Sequence, residues 1–199
     1  MSRIGPNIMK RLIGTLAALV IFAPVAPAQD RVPKKAVEES RSVALQVSRE
    51  HRSQLLRELQ LSGPLRSLLM CKYSCPEITL SLSRKTGWNI SMVSLKPRNP
   101  ADMADAWEQQ VLSDFNHRVA RGEKAEALEY AEIVSEPQGK YFRYAKAIPV
   151  EPLCLTCHGA PDTLPEAVKA QLAIDYPFDK ATGYSMGQVY GIVSIKRPQ

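Results

Sequence analysis

The chain has 199 residues, a length that fits one domain with a buried core. Its 45% hydrophobic and 23% charged residues are the balance of an ordinary globular protein, and 15 prolines imply irregular loops. The formal net charge of +6 comes without any Lys/Arg block dense enough for nucleic acid, which is excluded as a partner.

The chain opens with Arg3, Lys10 and Arg11, then an apolar run from Leu12 to Ala23, then the small-residue site Ala26-Pro27-Ala28. This is the pattern of a secretory signal occupying residues 1–28, cleaved near Ala28. The alternative, a membrane anchor, would have to cross ~30 Å of hydrocarbon, for which so short an apolar run is inadequate. No membrane span is expected after cleavage. Removing the signal takes away three basic residues and no acids. Lys+Arg then falls from 26 to 23 against 20 acids, and the net charge from +6 to +3. The expected product is a periplasmic domain of residues 29–199.

From Pro33 to Gln60, Val37, Ala44, Val47, Leu55 and Leu59 recur at helical spacing. Ser62-Gly63-Pro64 stops that helix and starts a second, carrying Leu65, Leu68, Leu69 and Cys71. Pro76 imposes a kink or break, after which a short helix ends at Gly87. Trp88, Ile90 and Met92 alternate with polar residues, the signature of a half-buried strand. KPRNPADM is a turn-rich loop, and Trp107, Val111, Leu112, Phe115 and Val119 mark a further helix. EYAEIVSEPQGKYFRYAKAIPV reads as a hairpin turning at Pro137-Gln138-Gly139. CLTCHG comes next as a loop or helical turn, DTLPEAVKAQLAIDY as a short helix, and QVYGIVSIKRP as a last strand. Helices with an antiparallel sheet imply an α+β domain.

CLTCHGAP, residues 154–161, carries the chemistry. Two cysteines separated by two residues, with a histidine directly after, meet the requirement for covalent c-type haem. Cys154 and Cys157 would form thioethers to one porphyrin edge, and His158 would be the proximal iron ligand. A thioredoxin-like pair would instead open a helix in a βαβ unit, whereas here the motif comes after a hairpin. A zinc site of Cys71, Cys75, Cys154 and Cys157 would leave His158 without a purpose. Two disulfides are the third alternative for four exported cysteines.

With these residues in view, the sequence resembles the bacterial single-haem c-type family with a PAS-like fold, a domain family of undefined function. The resemblance is carried by SGPLRSLLMCKYSCPEI, SLKPRNPADMADAWE, CLTCHGAP and YPFDKATGYSMGQVYGIVSI, in that order. It implies a PAS-like antiparallel sheet flanked by helices, with an N-terminal helical segment, around one haem c per chain. It also implies a distal thiolate ligand at Cys71, the first cysteine of its C-x-x-x-x-P-E-I pattern. Cys71 independently continues the inward face set by Leu68, although a free cysteine is often just a small buried hydrophobe. Cys75 departs from the family's pattern, where alanine is common; it is a second candidate ligand, a disulfide partner of Cys71, or simply a buried residue. Met186 is the third candidate, one that would raise the reduction potential where thiolate would lower it. His51 lies on the apolar stripe with Val47 and Leu55, and reads as a hydrogen-bonded histidine at the core edge. His117 lies on the polar side of its helix and reads as solvated.

Haem propionates need donors, and Arg98 is the candidate because its planar fork matches a carboxylate. Trp107 and Glu108 match the family's WE, and Tyr184 and Gly187 its C-terminal segment, with close backbone approach expected at Gly187. Met92 stands where relatives often have a basic residue. The expected function is redox or small-ligand sensing, or low-potential electron transfer. Its partners would be haem-attachment machinery, a redox or signalling protein, and a diatomic gas ligand such as CO, NO or O₂. The alternative is a haem enzyme such as a peroxidase, with an open distal site served by His51 and an arginine.

Overall fold

The strands β1 (Asn89–Val93), β2 (Glu129–Glu136), β3 (Gly139–Pro149) and β4 (Val189–Pro198) form one antiparallel sheet in the order β1–β4–β3–β2. The computed structural model describes Met1 and residues 31–199; the export signal read from residues 1–28 lies, Met1 apart, outside the described residues. Among the described residues five α-helices accompany the sheet: α1 (Lys34–Tyr73), α2 (Cys75–Thr86), α3 (Ala106–Ala120), α4 (Leu155–His158) and α5 (Glu166–Asp175). The fold class is α+β, as the sequence pattern requires. Among the described residues no helix is long and apolar enough to cross a membrane.

Side-chain alternation in the central strands builds two cores. Phe142 and Tyr144 of β3, with Val193 and Ile195 of β4, pack beneath Ala44, Val47, Ile78 and Leu82 of α1 and α2. Ala145, Ala147 and Ile192 belong to the other core, with Val111, Leu112 and Phe115 of α3. Successive residues of a strand point to opposite faces, so β3 and β4 must be apolar on both. Trp88, Ile90 and Met92 all join the α1 and α2 side, as their alternation predicts. The hairpin turns at Pro137-Gln138, with Glu136 paired to Gly139.

On the α3 face the WE pair has a structural use. Asp105 and Glu108 form a reciprocal capping box at the start of α3. Glu108 also accepts from Arg143 Nη2 at 3.1 Å, and the Arg143 guanidinium lies 4.4 Å from the Trp107 ring centroid. The motif therefore ties α3 to β3.

The helix α1 is two helices joined at one residue. Gly63 has φ 76° and ψ −178°, a conformation open essentially only to glycine, and Pro64 occupies the first turn of the second helix. The break at Ser62-Gly63-Pro64 read from sequence is therefore present. Its magnitude is large. Residues 51 and 71 of a straight helix would stand about 30 Å apart at about 1.5 Å per residue. Instead the ligand-forming atoms of His51 and Cys71 come within 4.8 Å of each other. The 64–73 arm must therefore fold back beside the 34–62 arm. Leu68 seats it against Leu164, Val168 and Leu172, and Lys72 donates to Asp175 at 2.6 Å. Then α2 begins after the single residue Ser74, with Pro76 in its first turn, and Gly87 closes it in the left-handed conformation.

A Cβ on Gly63 would meet nothing within 4 Å, so the cost of substitution lies wholly in the backbone. Gly63→Ala is expected to lose about 1–3 kcal/mol of stability, measured as a fall in the urea midpoint at unchanged m value.

Candidate cofactor site

The two arms of α1, the start of α2, the end of β3 and the turn around α4 enclose a cavity of about 300 Å³. Cys71, Cys154, Cys157 and His158 all line it, together with His51, Cys75, Arg98 and Met92. Met186 does not; it is 55% exposed. His117 is exposed on α3, as expected.

The CxxCH residues occupy one helical turn. After β3 ends at Pro149, a 3-10 turn over Pro152–Cys154 runs directly into α4. Positions three and four apart on a helix share a face, so Cys154 presents its thiol beside Cys157 and His158. That is the physical content of the spacing. The alternative of a thioredoxin-like pair loses its basis, because every strand pairing is antiparallel and α4 has four residues.

A second segment holds this turn in place. The Ala181 carbonyl accepts from His158 Nδ1 at 2.7 Å and from Arg98 Nη2 at 3.3 Å. Since a carbonyl only accepts, Nδ1 carries the proton and Nε2 keeps its lone pair. The Tyr184 and Gly183 amides donate to the carbonyls of His158 and Gly159 at 3.0 and 2.8 Å. Tyr190 sets its ring 4.7 Å from the imidazole, at 63°. Burial, reinforced by the Arg98 charge, pushes the His158 pKa down to about 3, so the ring is neutral at any physiological pH. Burial likewise pushes the Cys154 thiol up and that of Cys157 to about 11.

Arg98 is placed at the cavity wall and is itself a clamp. Its Nε donates to Asp179 at 3.0 Å, and its Nη2 donates to Cys157 O at 2.5 Å as well as to Ala181 O. Asp179 in turn accepts from the Ala181 amide at 2.7 Å. The D-x-A-x-G-Y stretch thus has a reason at each marked position. Asp179 holds the arginine, Ala181 supplies the shared carbonyl, and Gly183 and Tyr184 pair with the CxxCH turn. Gly187 is a correction. It serves through φ 78°, and nothing lies within 4 Å of where its Cβ would be, so close backbone approach is not the reason.

The helical arms supply a different cluster. The ligand-forming atoms of His51, Cys71 and Cys75 lie within 4.8 Å of one another. The Cys75 thiol has two sulfur acceptors near it, Met70 Sδ at 3.4 Å and Cys71. Hydrogen bonding from Cys75, then from the His51 imidazole, pulls the Cys71 pKa down to about 5 against the effect of burial. The same interaction with Cys71, together with burial, pushes the Cys75 thiol up. All four cysteines are free. Cys71 and Cys75 cluster with His51 rather than with Cys154 and Cys157, which removes the four-thiol zinc alternative. Sequence reasoning undervalued His51; its place on the stripe with Val47 and Leu55 was the available signal.

An α+β domain with an antiparallel sheet, a folded-back N-terminal helix and a cavity lined by CxxCH is the class these features define. Residues 29–198 match the model of the Tll0287-like family, and the chain belongs to that family. Its fold is similar to the crystal structure of the cyanobacterial heme-protein Tll0287, with TM-score 0.64 and 22% identity over 84% of this chain and 98% of that one. A search of curated proteins finds no match.

Arg98 and Asp179 are each about 10% exposed in their side chains. Breaking such a pair from one side is expected to cost about 3–5 kcal/mol. Asp179→Ala and Arg98→Ala should lose comparable stability, and the double variant little more, in a denaturant double-mutant cycle.

Proposed function

We propose that this chain is an exported single-haem c-type protein, in which a PAS-like domain holds the iron for low-potential electron transfer or for redox or small-ligand sensing. The observation that carries the reading is the shared cavity. The CxxCH turn and the thiol Cys71 line it together, although they come from distant parts of the chain. The donor set fits haem: two thiols on one helical turn, a neutral imidazole with Nε2 unprotonated, and a soft thiolate-forming sulfur. Family membership and the likeness in fold to a cyanobacterial heme-protein support the same reading.

In this reading Cys154 and Cys157 would form the thioethers and His158 Nε2 would be the proximal ligand. The Ala181 carbonyl orients His158, an outer-shell hydrogen bond that fixes the tautomer and raises ligand basicity. Cys71 would be the distal ligand, with the Cys75 thiol beside it. Arg98 acts first as the clamp that fixes the CxxCH turn and, at the cavity wall, would offer its remaining donors to a propionate. Haem bound there would supply one-electron chemistry at a potential lowered by thiolate donation. If His158 and Cys71 both ligated the iron, no open site of the peroxidase type would be left.

Two measurements test this. A haem-peroxidase stain on a denaturing gel should be positive for the chain matured with attachment machinery, and negative for Cys154→Ala/Cys157→Ala. Optical and EPR spectra of the ferric wild type should be low-spin with thiolate features, which Cys71→Ser abolishes. A stain-negative wild type, or a spectrum unaltered by Cys71→Ser, would refute the reading.

A further inference from the structure

We infer that His51 is a second distal ligand, held in reserve beside Cys71, and that Cys75 brings it into use by drawing Cys71 into a disulfide. The inference rests on the proposed haem binding. It begins from the geometry of the helical cluster. An imidazole nitrogen and two sulfurs lie within 4.8 Å of one another, and all three side chains line the cavity. Only one of them can occupy the sixth position on an iron held by His158. The other two are too close to be bystanders.

Their positions differ in a way that assigns their roles. Cys75 is the buried member, 8% exposed at the start of α2, with its thiol turned toward Met70. Its sulfur lies within 4.8 Å of the Cys71 sulfur. His51 stands on the 34–62 arm, so it is independent of whatever happens to the two thiols on the 64–73 arm and α2. A rotation about its χ1 moves the ring nitrogens by several ångströms between staggered positions. That is the scale of the gap between the imidazole and the Cys71 sulfur. Once the two sulfurs join, His51 is the remaining donor of the cluster.

The oxidation is a thiol–disulfide exchange with a low-molecular-weight disulfide, a class of oxidant suited to an exported protein. The Cys71 thiolate and the Cys75 thiol together lose two electrons and one proton. One sulfur–sulfur bond forms between them, and the bond in the donor breaks. The donor's sulfurs leave as one thiol and one thiolate, so atoms and charge balance. A disulfide requires its sulfurs at about 2.05 Å. The two sulfurs start within 4.8 Å of each other, on either side of the single residue Ser74 between α1 and α2.

The test uses the mature holoprotein. Oxidised glutathione should replace the thiolate EPR signal of the wild type by that of a low-spin two-imidazole centre, reversed by dithiothreitol. Cys75→Ser should keep its thiolate signal under the same treatment. Cys71→Ser should be low-spin with two imidazoles, and Cys71→Ser/His51→Ala high-spin; Cys71→Ala replaces Cys71→Ser should that variant fail to fold. A high-spin Cys71 variant with His51 intact overturns the inference. So does a wild type whose mass shows the disulfide while its spectrum is unchanged. A wild type without covalent haem or thiolate features removes the proposed haem function and the His51 switch together, before any variant is made.

Discussion

The carbonyl oxygen of Ala181 is the point on which the cavity depends. It receives the His158 imidazole and the Arg98 guanidinium together, while Asp179 accepts from Nε of that guanidinium. Because Arg98 also donates to the Cys157 carbonyl, one buried cation fastens the CxxCH turn to the segment before β4. Desolvating an arginine is costly, and the cost is offset only when its donors are all directed at acceptors in good geometry. Here two carbonyls and a carboxylate meet it. The tautomer of His158, the direction of its free lone pair and the path of the chain from 179 to 184 all result from this arrangement.

The helical side of the cavity is built by a different constraint, a backbone one. Gly63 lets a long helix reverse within a single residue, so donors twenty positions apart in sequence arrive at one place. Leu68 and the Lys72–Asp175 ion pair then fix the returning arm against α5. His51, Cys71 and Cys75 are consequently neighbours for reasons unrelated to the Ala181 hub. The two sides share the cavity and little else.

Much of this was legible in the sequence. Strand alternation, helix stripes and the punctuation at Gly63-Pro64, Pro76 and Gly87 are local signals, and the elements they predict are present. The CxxCH turn was equally legible, since three residues within five positions carry both the spacing and the chemistry. What could not be read were links between distant segments. Nothing local tells that Arg98 would find Asp179, or that Glu108 would pair with Arg143. His51 was visible as an inward-facing residue, yet its value as a donor depends on the angle of the reversal at Gly63, and that angle is set by packing on α5. Met186 looked eligible by residue type, yet it does not line the cavity and is 55% exposed. Gly187 was correctly marked as special, for the wrong physical reason: torsion and not crowding.

The fold-back of α1 has a mechanical consequence. The sheet draws its stability from two cores, and neither contains Leu68 or Cys71. The 64–73 arm lies between Gly63 and Ser74, and rests on a separate apolar cluster shared with α5. Its position is therefore set apart from the two cores of the sheet. The CxxCH turn, riveted by Arg98, goes with the segment before β4; Cys71 goes with the arm. A displacement of the arm changes what the cavity offers on one side while the scaffold keeps its shape, so folding stability and the state of that side are separately adjustable in this architecture.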